Sequence, residues 1–300
     1  MNSVDSNPST VAPRRVHSAP EMYPWTLRQG IRSLVIDVLA NYQSFQQTFQ
    51  KGDETTCRVD ILLLHTVFPD EEANFRQLLA SLSKSYTFVG YMEAVTLINS
   101  GQIDGRYLAF SFDDGMKCCL SAAAILEEFN ARACFFVCPD IIGETSEEKI
   151  EEFCRGNLLH DCVEFMDWDD LEHLRSAGHE IGGHTMGHVD LATLEPRQIR
   201  ENLAECHAIL KQRLGSCDHF AWPFGRFSNM TAAAVQSVFD VGFCSCASGE
   251  RGTHGVVPYE AVPRYPILRR QSMEANWPKS HIDFFLNRRT QRPCPWSEMI

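Results

Sequence analysis

Between Trp25 and Phe49 the apolar positions Leu27, Ile31, Leu34, Val35, Val38, Leu39, Tyr42 and Phe45 recur at helical spacing, which predicts one long amphipathic helix. From Asp60 the pattern changes to short apolar runs separated by stretches of helical period. Strands are expected at residues 61–65, 86–89, 107–112, 133–138, 180–184, 219–222 and 242–247. Helices are expected at 71–84, 91–99, 117–129, 167–177, 196–214 and 231–239, with Asp167 as an N-cap and Gly178 as a C-cap glycine. A polar insert fills 139–164. Such strand–helix units predict an α/β layered or barrel fold with a largely parallel sheet.

The flanks read differently. Residues 1–24 are rich in serine, proline and asparagine and are expected to form a disordered tail. Residues 25–58 are the helix and a polar linker, 59–268 the main domain, and 269–300 a C-terminal extension of mixed charge, proline and aromatics without an assigned role.

Three hundred residues suit one large domain or two ordinary ones, with enough chain to bury a core. The formal charge of -12 argues against nucleic acid, whose phosphates would be repelled. Twelve cysteines include no CxxC pair, and several sit inside apolar runs, so free thiols in a reducing compartment are expected. With neither a secretory signal pattern nor an apolar run approaching the ~18 residues of a membrane span, the expected address is cytoplasmic. Arg28 and Arg32 at the start of the helix over 25–49 would permit peripheral contact with a membrane surface, and packing against the domain is the plainer expectation.

The candidate chemistry begins where the 107–112 run ends, in Asp113, Asp114 and Gly115. Ligands meet parallel sheets at the carboxyl ends of the strands. Two adjacent acids there need a compensating cation, an arginine or a shared proton, unless Asp114 merely caps the next helix. A second signal is His184-Thr-Met-Gly-His188. Histidines four apart can meet one cation if the turn between them is helical, and with Asp114 they make the three-ligand, open-position set of a catalytic metal. The glycines at 182 and 183 would let the backbone pass close to such a site. A third is Phe220-Ala-Trp-Pro223-Phe224-Gly225, where the proline fixes a turn that could aim the Phe224 amide at a developing oxyanion.

These segments, with Phe165-Met-Asp-Trp-Asp-Asp-Leu171 between the first two, resemble the polysaccharide deacetylase family, carbohydrate esterase family 4, in order and spacing from about Asp60 to Leu268. The resemblance implies a distorted (β/α) barrel. It implies that Asp114, His184 and His188 hold a divalent metal, usually zinc, that Asp113 is the general base, that the Phe224 amide is an oxyanion donor, and that Thr185 steadies the histidine loop. Two departures stand out. Ala221 occupies the place where the family often has an arginine, so the cation beside Asp113 is expected from Arg264. A Leu-x-His motif after Arg264 is missing, whereas Leu62-Leu-Leu-His65 looks like the N-terminal version found in exopolysaccharide deacetylases, which makes His65 the general acid.

The function implied is metal-dependent hydrolysis of an N-acyl group, acetyl or formyl, from an amino sugar or glycan, with a base and an acid in opposite protonation states giving a bell-shaped pH profile. A soluble amino-sugar or lipid-linked precursor fits the charge and the expected address. Alternatives from the same residues are hydrolysis of another C–N bond such as a cyclic ureide or imide, a non-haem iron oxygenase site, and a carbohydrate-binding protein with a relict site.

Overall fold

The computed structural model describes residues 15–24, 26–49, 57–257, 265–287 and 294. Arg264 lies outside the described residues. In chain order the strands are β1 (Arg58–Leu64), β2 (Thr87–Phe88), β3 (Arg106–Phe112), β4 (Ala133–Val137), β5 (Glu180–Gly183), β6 (His219–Ala221), β7 (Ser245–Ala247), β8 (His254–Gly255), β9 (Ile267–Leu268) and β10 (Gln271–Ser272). The helices are α1 (Ala19–Met22), α2 (Leu27–Phe49), α3 (Glu72–Leu82), α4 (Tyr91–Ser100), α5 (Cys119–Glu128), α6 (Glu147–Glu152), α7 (Trp168–Ser176), α8 (Pro196–Leu214), α9 (Ala232–Val241) and α10 (Lys279–Leu286).

The strands form one sheet in the order β10-β1-β3-β4-β5-β6-β7-β9, with β2 added to β3 and β8 to β1. The path is parallel throughout, and β8 alone among the described strands runs antiparallel to its neighbour. Strands β9 and β10 end opposite edges of this sheet, yet only Arg269 and Arg270 separate them in the chain. Three residue steps span at most roughly 11 Å, so the two edges nearly meet. The sheet is curled into a distorted (β/α) barrel with this short connection across its seam.

Alternation along the strands explains why they read as continuous apolar runs, since both faces are covered. Val59, Ile61, Ala109, Cys134, Phe136, Ala221, Ala247 and Leu268 form the inner cluster, joined by Tyr91, Val95 and Ile98 of α4. Leu62, Leu64, Leu108, Phe110, Phe112, Phe135 and Val137 face outward into the larger core with the surrounding helices. Gly182 sits on the inner side. A Cβ there would lie 2.6 Å from the Phe136 ring and 2.7 Å from the His219 carbonyl, so its bareness serves barrel packing rather than passage to the site. Helix α7 starts as expected: Asp167 accepts from the Asp170 amide at 2.9 Å and Asp170 returns the bond to the Asp167 amide at 3.0 Å.

Three regions depart from the expectation. Residues 15–24 are packed rather than loose, with Val16 and Ala19 buried, the Val16 amide donating to Cys162, and Arg15 paired with Glu147 and Glu164. Too few apolar positions lie there to show a period. The polar insert carries α6 and a π-helical turn, Phe153–Leu158. Residues 269–287 belong to the body, supplying β10 beside β1 and α10 beneath α2. A two-residue strand has no periodicity to detect.

Candidate active site

The site lies at the carboxyl ends of β1, β3, β5 and β6. Interior residues of β3 alternate through Ala109 and Ser111, and the next in the series is Asp113, followed at once by Asp114 and Gly115 in left-handed conformations (φ 74° and 73°). That turn sends the two adjacent carboxylates to different partners. Asp113 is buried and held by Arg270, whose Nη1 and Nη2 donate to Oδ1 and Oδ2 at 2.7 and 2.8 Å. Asp114 faces the histidines: its Oδ1 is 3.4 Å from His184 Nε2 and 3.6 Å from His188 Nε2.

Each imidazole is fixed from behind. His184 Nδ1 donates to the Ala221 carbonyl at 2.7 Å, and His188 Nδ1 to the Asn157 carbonyl at 3.0 Å. In the neutral rings those carbonyls hold the proton on Nδ1, which leaves the Nε2 lone pairs to face Asp114. Thr185 and His188 take positive φ (63° and 56°), and Thr185 Oγ1 accepts from the Val189 amide at 3.0 Å, closing the turn that brings the two rings to one side. Burial, followed by the charge of His184, pushes His188 down to about 4, keeping it neutral. Burial disfavours a charged Asp114, but the close approach of His184 and the nearby His65 and His188 outweigh it and hold the carboxyl well below its ordinary range.

The fit to a cation can be tested on these distances. The donor atoms of Asp114, His184 and His188 all lie within 4.8 Å of one another. Bonds of about 2.1 Å at tetrahedral angles put ligand atoms about 3.4 Å apart, which matches the two separations to Asp114. The Asp114 Oδ1 atom is buried without a hydrogen-bond partner among the described residues. An anionic oxygen in that state, facing two imidazole Nε2 atoms, fits a divalent ion. Asp113 stands apart from this set, its Oδ2 4.0 Å from His184 Nε2 and both oxygens engaged by arginine.

His65 follows β1 directly, and β1 pairs with β3 so that Leu64 lies opposite Phe112. It is therefore level with Asp113 and close enough to Asp114 for its charge to act there. Phe224 has φ 60°, its ring lies 4.7 Å from that of His188, and its amide has no protein acceptor among the described residues. The turn is locked from behind, because a Cβ on Gly225 would sit 2.5 Å from the Gly249 nitrogen. Trp222 is anchored through its backbone to Ala247 and through Nε1 to the Asn229 carbonyl.

The expected tether Arg264 falls outside the described residues, and the cation beside Asp113 is Arg270. Arg270 is fully buried, donates through Nε to the Ser248 carbonyl at 2.9 Å and lies 5.3 Å from the centre of the Phe136 ring. It occupies the β9–β10 connection, so closure of the barrel seam delivers it to the interior. Its place beyond residue 268 put it outside the expected domain. Three more groups carried no sequence signal. The Asn157 carbonyl is backbone, and it is aimed at His188 by the π-helical turn, a feature common at functional sites. His160, just after that turn, has a buried Nε2 with no partner among the described residues and senses the charges of Asp114 and His65. Burial pushes the hydroxyl of Tyr23, brought in by residues 15–24, upward; Thr66 acts against that and the charge of Asp114 adds to it.

Comparison with known proteins agrees with this geometry. The family model described as polysaccharide deacetylase matches residues 100–239. Among solved structures, the Streptococcus pyogenes deacetylase PplD in complex with acetate aligns with a TM-score of 0.60 at 17% identity, covering 78% of this chain and 100% of that one. IcaB from Ammonifex degensii aligns at 0.59 with 21% identity, covering 77% and 96%. A de-N-acetylase from Aggregatibacter actinomycetemcomitans aligns at 0.56 with 14% identity, covering 76% and 99%. At these identities the structural likeness establishes the shared fold. The matched segment contains both acids, both histidines and the Trp-Pro-Phe-Gly turn, so over residues 100–239 the chain is similar to the polysaccharide deacetylase family in the same part of the fold that carries this site.

Proposed function

We propose that the chain is a metal-dependent hydrolase that removes an N-acyl group, acetyl in the first instance, from an amino sugar or glycan. The observation that carries this reading is the division of labour between neighbouring carboxylates: Asp114 faces two imidazole nitrogens, while Asp113 is held off that set by Arg270. In it, Asp114, His184 and His188 hold the ion, and the nitrogen–oxygen donor set suits zinc among divalent metals. Such an ion, when bound, polarises the acyl carbonyl and lowers the pKa of water.

The chain's own groups supply the remainder. Asp113 takes the proton from the attacking water, and Arg270 fixes the plane of its carboxylate so that a lone pair stays aimed. The Phe224 amide donates to the oxyanion that develops as the carbonyl carbon becomes tetrahedral; one such donor typically contributes about 3 to 4 kcal/mol. His65 hands a proton to the departing amine nitrogen, which cannot leave as an anion.

The absence of a disulfide among the described residues supports a reducing compartment such as the cytoplasm, and among those residues no helix is long and apolar enough to cross a membrane. The substrate reading is tested by measuring acetate and formate release from a panel of N-acylated sugars and short glycans with zinc-loaded protein. Release by the unaltered chain and its loss in Asp113→Asn and Asp114→Asn are expected. Release that survives both substitutions would sink the assignment.

A further inference from the structure

One face of α2 is turned outward and exposed. Leu27, Ile31, Leu34, Val35, Val38, Leu39 and Tyr42 are 44 to 72% exposed, and they make up seven of the twelve large apolar side chains exposed among the described residues. At roughly 100° per residue they fall within an arc of about 140°. The opposite side of the helix holds the buried Ile36 and Ala40 and packs on α10. There Asp37 meets His281 Nε2 at 2.9 Å and Arg32 lies 5.4 Å from the centre of the Trp277 ring. Scattered exposed apolar residues are ordinary, whereas a continuous stripe marks a contact surface.

Spacing, area and charge point to the same occupant. Leu27, Ile31, Leu34 and Val38 are separated by four, three and four residues, the seam by which one helix packs on another. Val35, Leu39 and Tyr42 widen that seam on one side, as in helices packed into bundles. A side chain of this size carries on the order of 100 Å² of apolar surface, so seven at these exposures offer roughly 400 Å². An interface of standard size removes about 800 Å² per partner, a little over half of it apolar. The stripe therefore supplies most of what one protomer of a stable dimer needs.

A lipid surface fits less well. Helices that lie in membrane interfaces carry many lysines and arginines on the polar face. The charged residues of α2 are Arg28, Arg32 and Asp37 only, and Asp37 is already paired. A chain of net charge -12 is also repelled by anionic headgroups. A second copy needs no such charge, because α2 itself is close to neutral and offers the same stripe in return.

We propose that α2 is the interface of a symmetric dimer of this chain, the exposed stripe of one copy packing on that of the other about a two-fold axis. Light scattering and sedimentation velocity on the full chain across the micromolar range should give twice the protomer mass of 34.0 kDa. The double substitution Leu34→Asp with Val38→Asp should return 34.0 kDa while circular dichroism and metal content stay unchanged, since both side chains are exposed in the protomer. A wild-type chain that is monomeric throughout that range overturns the proposal. So does a folded double variant that remains dimeric. Flotation with phosphatidylcholine vesicles and with phosphatidylglycerol vesicles is expected to leave the wild type behind, and vesicle binding abolished by the same two substitutions would assign the stripe to lipid instead.

Discussion

Both ends of the barrel bury carboxylates, and the charge around them differs. At the amino end Asp60 of β1 is fully buried, 2.9 Å from Arg58 Nε and 3.2 Å from the Tyr86 hydroxyl, and Arg106 lies over the same Tyr86 ring at 4.5 Å. Burial pushes the Asp60 carboxyl up, Arg58 acts against it, and two guanidinium groups serve one acid. At the carboxyl end two adjacent acids, Asp113 and Asp114, share one guanidinium, that of Arg270, which spends both its terminal nitrogens on Asp113. The remaining partners of Asp114 are imidazoles, and His188 is held neutral. One end of the barrel is thus self-compensated, while the other is short of one cation. A fold tolerates that deficit where something else supplies the charge, which is how the same polar-burial problem becomes structure at one end and chemistry at the other.

The contrast can be broken experimentally, most severely at the metal set. Asp114→Asn removes the anionic ligand, and a loss of activity on the order of a thousandfold or more is expected together with loss of bound metal, read by elemental analysis of dialysed protein. Asp113→Asn should lower kcat by roughly 10²- to 10⁴-fold while metal content is retained, because this acid serves the proton and not the ion. A variant that lost its metal would merge two roles that the geometry separates.

The two ends should also differ when their arginines are neutralised. Arg270→Met leaves Asp113 buried without its partner, a change of about 3 to 5 kcal/mol in such settings, and should lower both the unfolding midpoint and kcat. Arg58→Met should lower the midpoint as well but leave kcat and metal content unchanged, since nothing at the amino end reaches the site. Denaturant titration beside steady-state kinetics distinguishes these outcomes.

The smallest effect concerns pH. Burial pushes His179 and His254 down to about 4. His179 Nδ1 accepts the Ala133 amide at 3.1 Å and His254 Nε2 the Arg269 amide at 3.0 Å, bonds that an added proton abolishes. The unfolded chain takes up these protons near 6.5 and the folded chain only near 4. Stability is therefore intact above about 6.5 and falls as pH drops toward 4, by up to about 3 kcal/mol for a fully buried imidazole. The urea midpoint should follow that window, and His179→Asn should flatten it. A midpoint constant from pH 7 to 4 would contradict the burial argument.

Legibility in the sequence followed distance along the chain. Asp113 and Asp114 sit at the end of a strand that its own apolar run reveals, and His184 and His188 share one turn, so local pattern found all four. The position of His65 was legible the same way, at the end of β1. Arg270 is 157 residues from Asp113, beyond the last recognisable strand, and no local pattern announces a two-residue strand on the far edge of the sheet. Asn157 acts through its backbone, so its identity carried no hint of the role. The packing of residues 15–24 rests on Val16, Ala19 and Arg15, each without periodic neighbours.

By itself the sequence determined the alternation of strand and helix, an α/β layered or barrel class, the ends at which chemistry could sit, and a candidate set of ion-holding residues. These follow from side-chain periodicity and from chemistry confined to a few consecutive positions. Tertiary structure alone decided which arginine neutralises Asp113, which carbonyls orient the histidines, and which face of α2 remains outside the core. Each of those depends on segments that meet only when the sheet curls and its two edges come together, and a contact made across a closed seam leaves no period in the chain.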